Sequence, residues 1–155
     1  MLRVLVVVAA LLTAGQSAAE TLAGRASVID GDTIELHGQR IRLHGIDAPE
    51  GGQTCETAAG KPWRCGTAAA RALDGMTFGK TVVCAPQDID RYGRIVAICE
   101  VAGLDLGGEL VEQGLAVAYR NYSRAYVPAE GRARAARRGM WAGRFQMPWD
   151  WRRAN

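Results

Sequence analysis

Hydrophobic and polar positions alternate twice between Thr33 and His44. Thr33-Ile34-Glu35-Leu36 alternates, His37-Gly38-Gln39 interrupts, and Arg40-Ile41-Arg42-Leu43-His44 alternates again. Successive side chains of a strand point to opposite faces, so Ile34, Leu36, Ile41 and Leu43 share the buried face of a hairpin, with Arg40, Arg42 and His44 on the other. An earlier strand is predicted through Leu22 to Ile29. A second hairpin pairs Thr81 to Cys84 with Arg94 to Glu100 around the turn-like Asp90-Arg91-Tyr92-Gly93. Three segments read as helices. Thr67 to Phe78 is alanine-rich with Leu73 and Met76 on an apolar side, and Leu106 to Gln113 follows Asp105 as N-cap and stops at Gly114. Ala129 to Arg138 is bracketed by Pro128 and Gly139. Five strands interleaved with three helices predict an α+β domain built on a small, closed, antiparallel barrel.

The amino terminus departs from this patterning. Met1-Leu2-Arg3, the apolar run from Val4 to Leu12 and the small residues Ser17-Ala18-Ala19 predict a secretory signal peptide over 1–19, cleaved after Ala19. The apolar run falls short of the ~20 residues needed to span a bilayer, so no membrane association is expected after cleavage. Residues 20–155 then form one domain, for which a monomer is the default, in the periplasm or outside the cell. Four cysteines agree with export. If the second hairpin folds symmetrically about Arg91 and Tyr92, Cys84 and Cys99 face each other. That leaves Cys55 with Cys65. No Cys-x-x-Cys pair supports the competing zinc reading.

Charge is divided along the chain. The stretch from Glu20 to Ala118 holds 9 basic and 14 acidic residues, whereas Tyr119 to Asn155 holds 9 arginines against Glu130 and Asp150. A basic end suits a polyanion, although a solvated basic helix would look the same.

Three polar clusters interrupt the strands: Asp30-Gly31-Asp32-Thr33, then Arg42 with Ile46-Asp47-Ala48-Pro49-Glu50, then Asp90-Arg91-Tyr92-Gly93-Arg94. Each alone reads as an ordinary turn, and the first lacks the further ligands of an EF-hand loop. Together they offer the parts of phosphodiester hydrolysis. Aspartates suit a hard dication, a glutamate can activate water, and two arginines can neutralise a phosphate in its transition state.

These three clusters, in this order and at these separations, resemble the staphylococcal nuclease (thermonuclease) family. The resemblance extends through Leu110-Val111-Glu112-Gln113-Gly114-Leu115-Ala116 to Gly139-Met140-Trp141. It implies an OB-type five-stranded barrel with three helices. It further implies Ca²⁺ held by Asp32, Asp47 and the Ala48 carbonyl, and Glu50 acting as base or orienting the water. Arg42 and Arg94 would clamp the scissile phosphate, and Tyr119 would pack on the nucleotide. The implied products from DNA or RNA are a 5′-hydroxyl and a 3′-phosphate.

The cysteine-bearing loop from Gly51 to Gly66 resembles the family's exported bacterial branch rather than its type member. Tyr122 does not match the family's tyrosine spacing and is assigned no role. Trp149 and Trp151 lie beyond the motifs and are expected to cap the barrel, with base stacking as the alternative. His44 is expected at the surface. The rival function is a non-catalytic OB-fold module that binds single-stranded nucleic acid. Retention of Asp32, Asp47 and Glu50 argues against it, since carboxylates repel phosphate unless a cation lies between them.

Overall fold

The computed structural model describes residues 20–155; the expected signal peptide lies outside the described residues. The strands are β1 (Leu22–Gly24), β2 (Ala26–Asp30), β3 (Thr33–Leu36), β4 (Gln39–Leu43), β5 (Ile46–Asp47), β6 (Cys55–Glu56) and β7 (Pro62–Trp63). After helix α1 (Cys65–Thr77) come β8 (Val82–Ile89), β9 (Ile95–Val101), β10 (Leu104–Asp105), α2 (Leu106–Glu112) and β11 (Val117–Ala118). The chain closes with α3 (Val127–Ala135), a 3₁₀ turn (Gly139–Ala142) and α4 (Pro148–Ala154).

The principal sheet runs β1-β8-β9-β4-β3-β2. Its two ends are consecutive in sequence, separated only by Arg25, so one long strand bends to serve both edges and the sheet curls into an OB-type barrel. The sequence predicts an all-antiparallel barrel. In the structure β4 and β9 instead run parallel, with Arg42 opposite Val96, because the chain passes through α1 and β8 before returning as β9. The sequence also predicts three helices, and the described residues form four. Helix α4 starts at Pro148, a residue suited to a first helical turn, in a tail to which the pattern assigned no element.

The first hairpin is locally determined. Leu36 pairs with Gln39 across a two-residue turn, and both turn residues have positive φ, His37 at 51° and Gly38 at 76°. That is the twist-compatible turn of a tight hairpin. His37 holds its unusual conformation while its Nε2 bonds the Ala23 carbonyl at 2.9 Å. Ile34, Leu36, Ile41 and Leu43 are all buried beneath it. They join Leu73 of α1 and Leu106 and Leu110 of α2 in the main core. Asp105 caps α2, accepting from the amides of Gly107 and Gly108, and also accepts the Tyr126 hydroxyl at 2.8 Å.

In the second hairpin Cys84 stands opposite Cys99 and is bonded to it; Cys55 is bonded to Cys65. A bulge between Pro86 and Asp88 shifts the inner register, so the turn centres on Tyr92 rather than between Arg91 and Tyr92. A second, smaller core gathers Cys55, Cys65, Val117 and Met140, with Trp63, Trp141, Phe145, Met147 and Trp149 packed against it. That cluster docks the carboxy-terminal segment onto the barrel. Among the described residues no helix is long and apolar enough to cross a membrane.

The Cys84–Cys99 bond closes a loop of sequence separation 15 inside the main core. Replacing both cysteines by alanine is expected to destabilise the domain by about 3 kcal/mol, read from urea unfolding beside the unchanged chain.

Candidate active site

The first acidic cluster sits where β2 turns into β3. Val28 pairs with Ile34 and Asp30 with Thr33, leaving Ile29 as a bulge that re-aims the turn. Gly31 is required there. A Cβ on it would lie 2.7 Å from the Ala69 Cβ and 2.8 Å from the Ala48 Cβ, so only glycine lets the turn press against α1 and the Ala48 loop. Asp32, buried at 5 % exposure, accepts from the Thr33 hydroxyl at 3.0 Å and from the Ala48 amide at 3.0 Å.

Arg42 projects from β4, opposite Thr33, and joins the first two clusters. Its Nη1 lies 3.2 Å from Asp32 Oδ2 and its Nη2 3.1 Å from Asp47 Oδ1. The same Nη2 also donates to the Ile46 carbonyl at 3.3 Å. Burial works against the Arg42 charge, but Asp32 and Asp47 outweigh it and hold the guanidinium protonated. Asp47 has no solvent exposure. Burial pushes its carboxyl above the ordinary range, opposed by a hydrogen bond from Arg152 and by the charges of Arg152 and Arg42.

Arg152, on α4, is the site residue that the sequence reading missed. Its Nη2 donates to Asp47 Oδ2 at 2.8 Å, and its Nη1 donates to Asp47 Oδ1 at 2.9 Å and to Glu50 Oε1 at 2.6 Å. An arginine 105 residues away from its partner, in a tail rich in arginines, carries no local signal. Beside it Trp149 stacks on Tyr119, with ring centroids 5.6 Å apart and planes 11° from parallel. Trp149 therefore covers a face of Tyr119 while packing against the smaller core. Tyr122 packs on Tyr119 as well, at 5.0 Å and 56°.

The Glu50 backbone is fixed from below. Its amide donates to Gln53 Oε1 at 3.2 Å, and Gln53 is itself fully buried, donating to the Gln146 carbonyl at 2.7 Å. A Cβ on Gly66 would lie 1.7 Å from the Glu50 carbonyl oxygen, so the first turn of α1, next to the Cys55–Cys65 bond, tolerates only glycine. The disulfide therefore underpins Glu50. Tyr119 follows β11, whose Val117 pairs with Asp47, and its amide donates to the Gly45 carbonyl.

The structure thus brings Asp32, Arg42 and Asp47 into one bonded network, which Arg152 extends to Glu50, with the Ala48 amide donating to Asp32. Arg94 is not bonded into it. Asp90 holds it at the hairpin tip, accepting from its Nε at 2.7 Å and its amide at 3.0 Å, and its guanidinium lies 5.5 Å from the Tyr92 ring. Parallel pairing of Ile41 with Ile95 still sets Arg94 beside Arg40 on the face that carries Arg42. His44, expected at the surface, is half-buried, and its Nδ1 is enclosed without a partner.

Asp32, Asp47 and the Ala48 carbonyl present oxygen donors only, the chemistry that suits Ca²⁺ or Mg²⁺ rather than zinc. Two carboxylates already share one cationic group at 3.1–3.2 Å, so the donor set fits a hard cation. The third carboxylate, Glu50, is drawn to Arg152, and among the described residues no three acidic, histidine or cysteine side chains form a ready cluster.

Asp30 accepts the Asp32 amide at 3.2 Å, and its carboxyl is pushed up to about 6, by burial first and then by the Asp32 charge. In metal-free protein the folded state therefore holds a proton on Asp30 that the unfolded chain releases. Stability should fall as pH rises through roughly 4 to 6. In Asp30→Asn, which keeps an acceptor for that amide, urea unfolding should show a shallower fall over the same window; an equal slope would assign it to other groups.

A family profile described as "Staphylococcal nuclease homologue" matches residues 40–143. The chain is 40% identical to the succinoglycan biosynthesis protein ExoI of Rhizobium meliloti, over 88% of this chain and 73% of that protein. It is 35% identical to protein ParB of Escherichia coli, over 99% and 91%, and 33% identical to the micrococcal nuclease of Shigella flexneri, over 83% and 78%. With the barrel, the acidic turn and the Arg42 bridge already in place, this match over most of the chain makes it a member of the staphylococcal nuclease homologue family.

Proposed function

We propose that this chain is a Ca²⁺-dependent endonuclease that hydrolyses DNA or RNA to 5′-hydroxyl and 3′-phosphate products. Nuclease activity in general follows from the family. The observation that carries the finer reading is the bonded set of Asp32, Arg42, Asp47 and Glu50 on the rim of an OB-type barrel.

Asp32, Asp47 and the Ala48 carbonyl would hold the cation, which supplies positive charge against the phosphate oxygens. Arg42, and Arg94 once freed from Asp90, would neutralise the charge that builds on the phosphate in the transition state. Glu50, half-exposed beside fully buried Asp47, would take the proton of the attacking water. The new P–O bond forms as the bond to the 5′ oxygen breaks. That oxygen takes a proton from solvent and leaves as a hydroxyl, and the phosphate stays on the 3′ side. Tyr119 would give a base an aromatic face, and the arginines beyond it would meet the flanking phosphates. The two disulfides and the amino-terminal pattern support action in the periplasm or outside the cell. The domain would act as a monomer.

Single-stranded DNA incubated with the protein and Ca²⁺ should be cut, and chelation should stop the cutting. Glu50→Gln and Arg42→Ala should each slow it by roughly 10² to 10⁴. Polynucleotide kinase should label the products without phosphatase treatment, as free 5′-hydroxyls require. Retained DNA without product on a gel would make the chain a binding module. Full activity in Glu50→Gln would remove that residue from the chemistry.

A further inference from the structure

We propose that the carboxy-terminal helix α4 is a built-in competitor of the cation and the nucleotide, with Arg152 in the place of the one and Trp149 in the place of the other. The inference rests on the calcium reading of the site. Both carboxylate oxygens of Asp47 are engaged by Arg152, and the same guanidinium holds Glu50 at 2.6 Å. A cation that needs Asp47 oxygens, and a reaction that needs a free Glu50, both require Arg152 to leave.

A dication and the Arg152 guanidinium carry like charge and need the same Asp47 oxygens, so exchange is favoured over coexistence.

The second contact is independent of the first. Trp149 lies flat on Tyr119, the ring that the functional reading assigns to a base, in the parallel arrangement a base would take. Trp149 and Arg152 are three residues apart on one helix and so share a face. They engage and release together. Helix α4 spans seven residues, too short to persist alone in water, so its release from the barrel amounts to its melting. What holds it is the small core of Met147, Trp149 and Phe145 around the Cys55–Cys65 bond, together with Arg152.

The test uses the full mature chain and Ca²⁺ alone as probe. Calorimetric titration of the unchanged protein, Arg152→Gln and Trp149→Ala should show both variants binding Ca²⁺ more tightly, by on the order of tenfold if the helix is docked about nine-tenths of the time. Adding Ca²⁺ to the unchanged protein should also change tryptophan emission at the same midpoint, and Trp149→Phe should lessen that change, Trp151 on the same helix supplying the rest. If the unchanged protein and both variants bind Ca²⁺ equally, or the variants bind more weakly, the competition is overturned while the calcium reading stands. If none of the three binds Ca²⁺, the calcium reading fails and the competition falls with it.

Discussion

A carboxylate with no access to water, Asp47, has to be neutralised from within the protein, and much of the architecture is arranged around that requirement. An unpaired buried charge costs several kcal/mol. Arg42 answers it from β4 and spans to Asp32, so one guanidinium fastens the β2–β3 turn, the central strand and the strand β5 beyond it. Glycines make this approach possible. Gly31 admits the acidic turn beneath α1, and Gly66 admits the Glu50 backbone against the first turn of the same helix. The site is therefore a consequence of close packing as much as of its polar residues.

The disulfide in the loop after Glu50 takes part in this packing. Cys55 and Cys65 form the floor of the smaller core, and the tryptophans and phenylalanine of the carboxy-terminal segment assemble on it. The same bond stands beside Gly66, which supports Glu50. A loop that in sequence merely follows Glu50 is thus, in three dimensions, the platform that joins the tail to Asp47 and Glu50. The Tyr119–Trp149 stack and the Arg152 ion pairs lie at the end of that connection.

Where local rules operate, the sequence reads clearly. Alternation put Ile34, Leu36, Ile41 and Leu43 on one buried face because side-chain direction in a strand is periodic whatever surrounds it. Asp105 and Gly114 bounded α2 because capping is satisfied within a few residues. The first two clusters were legible because they flank one local hairpin, so Asp32, Arg42 and Asp47 could meet without any distant choice, whereas Glu50 joins them only through Arg152. The antiparallel expectation gave way at β4 and β9, whose pairing depends on the route of the chain through α1 and β8. Arg94 shows the same limit. Its register places it on the right face, but Asp90, four residues earlier, claims its guanidinium.

By itself the sequence determined the barrel's principal strands and core, the Asp32, Arg42, Asp47 and Glu50 motifs and the family to which they belong, since these rest on short-range periodicity and on motifs of fixed spacing. Only the tertiary structure decided that Asp47 is sealed from solvent, that the Cys55–Cys65 loop underlies Glu50, and that Arg152 and Trp149 reach the site from the far end of the chain. Those outcomes depend on which surfaces are left uncovered once the barrel has closed. Nothing within a few residues of Arg152 encodes the carboxylates it meets, because the partner lies 105 positions away and is fixed only by packing.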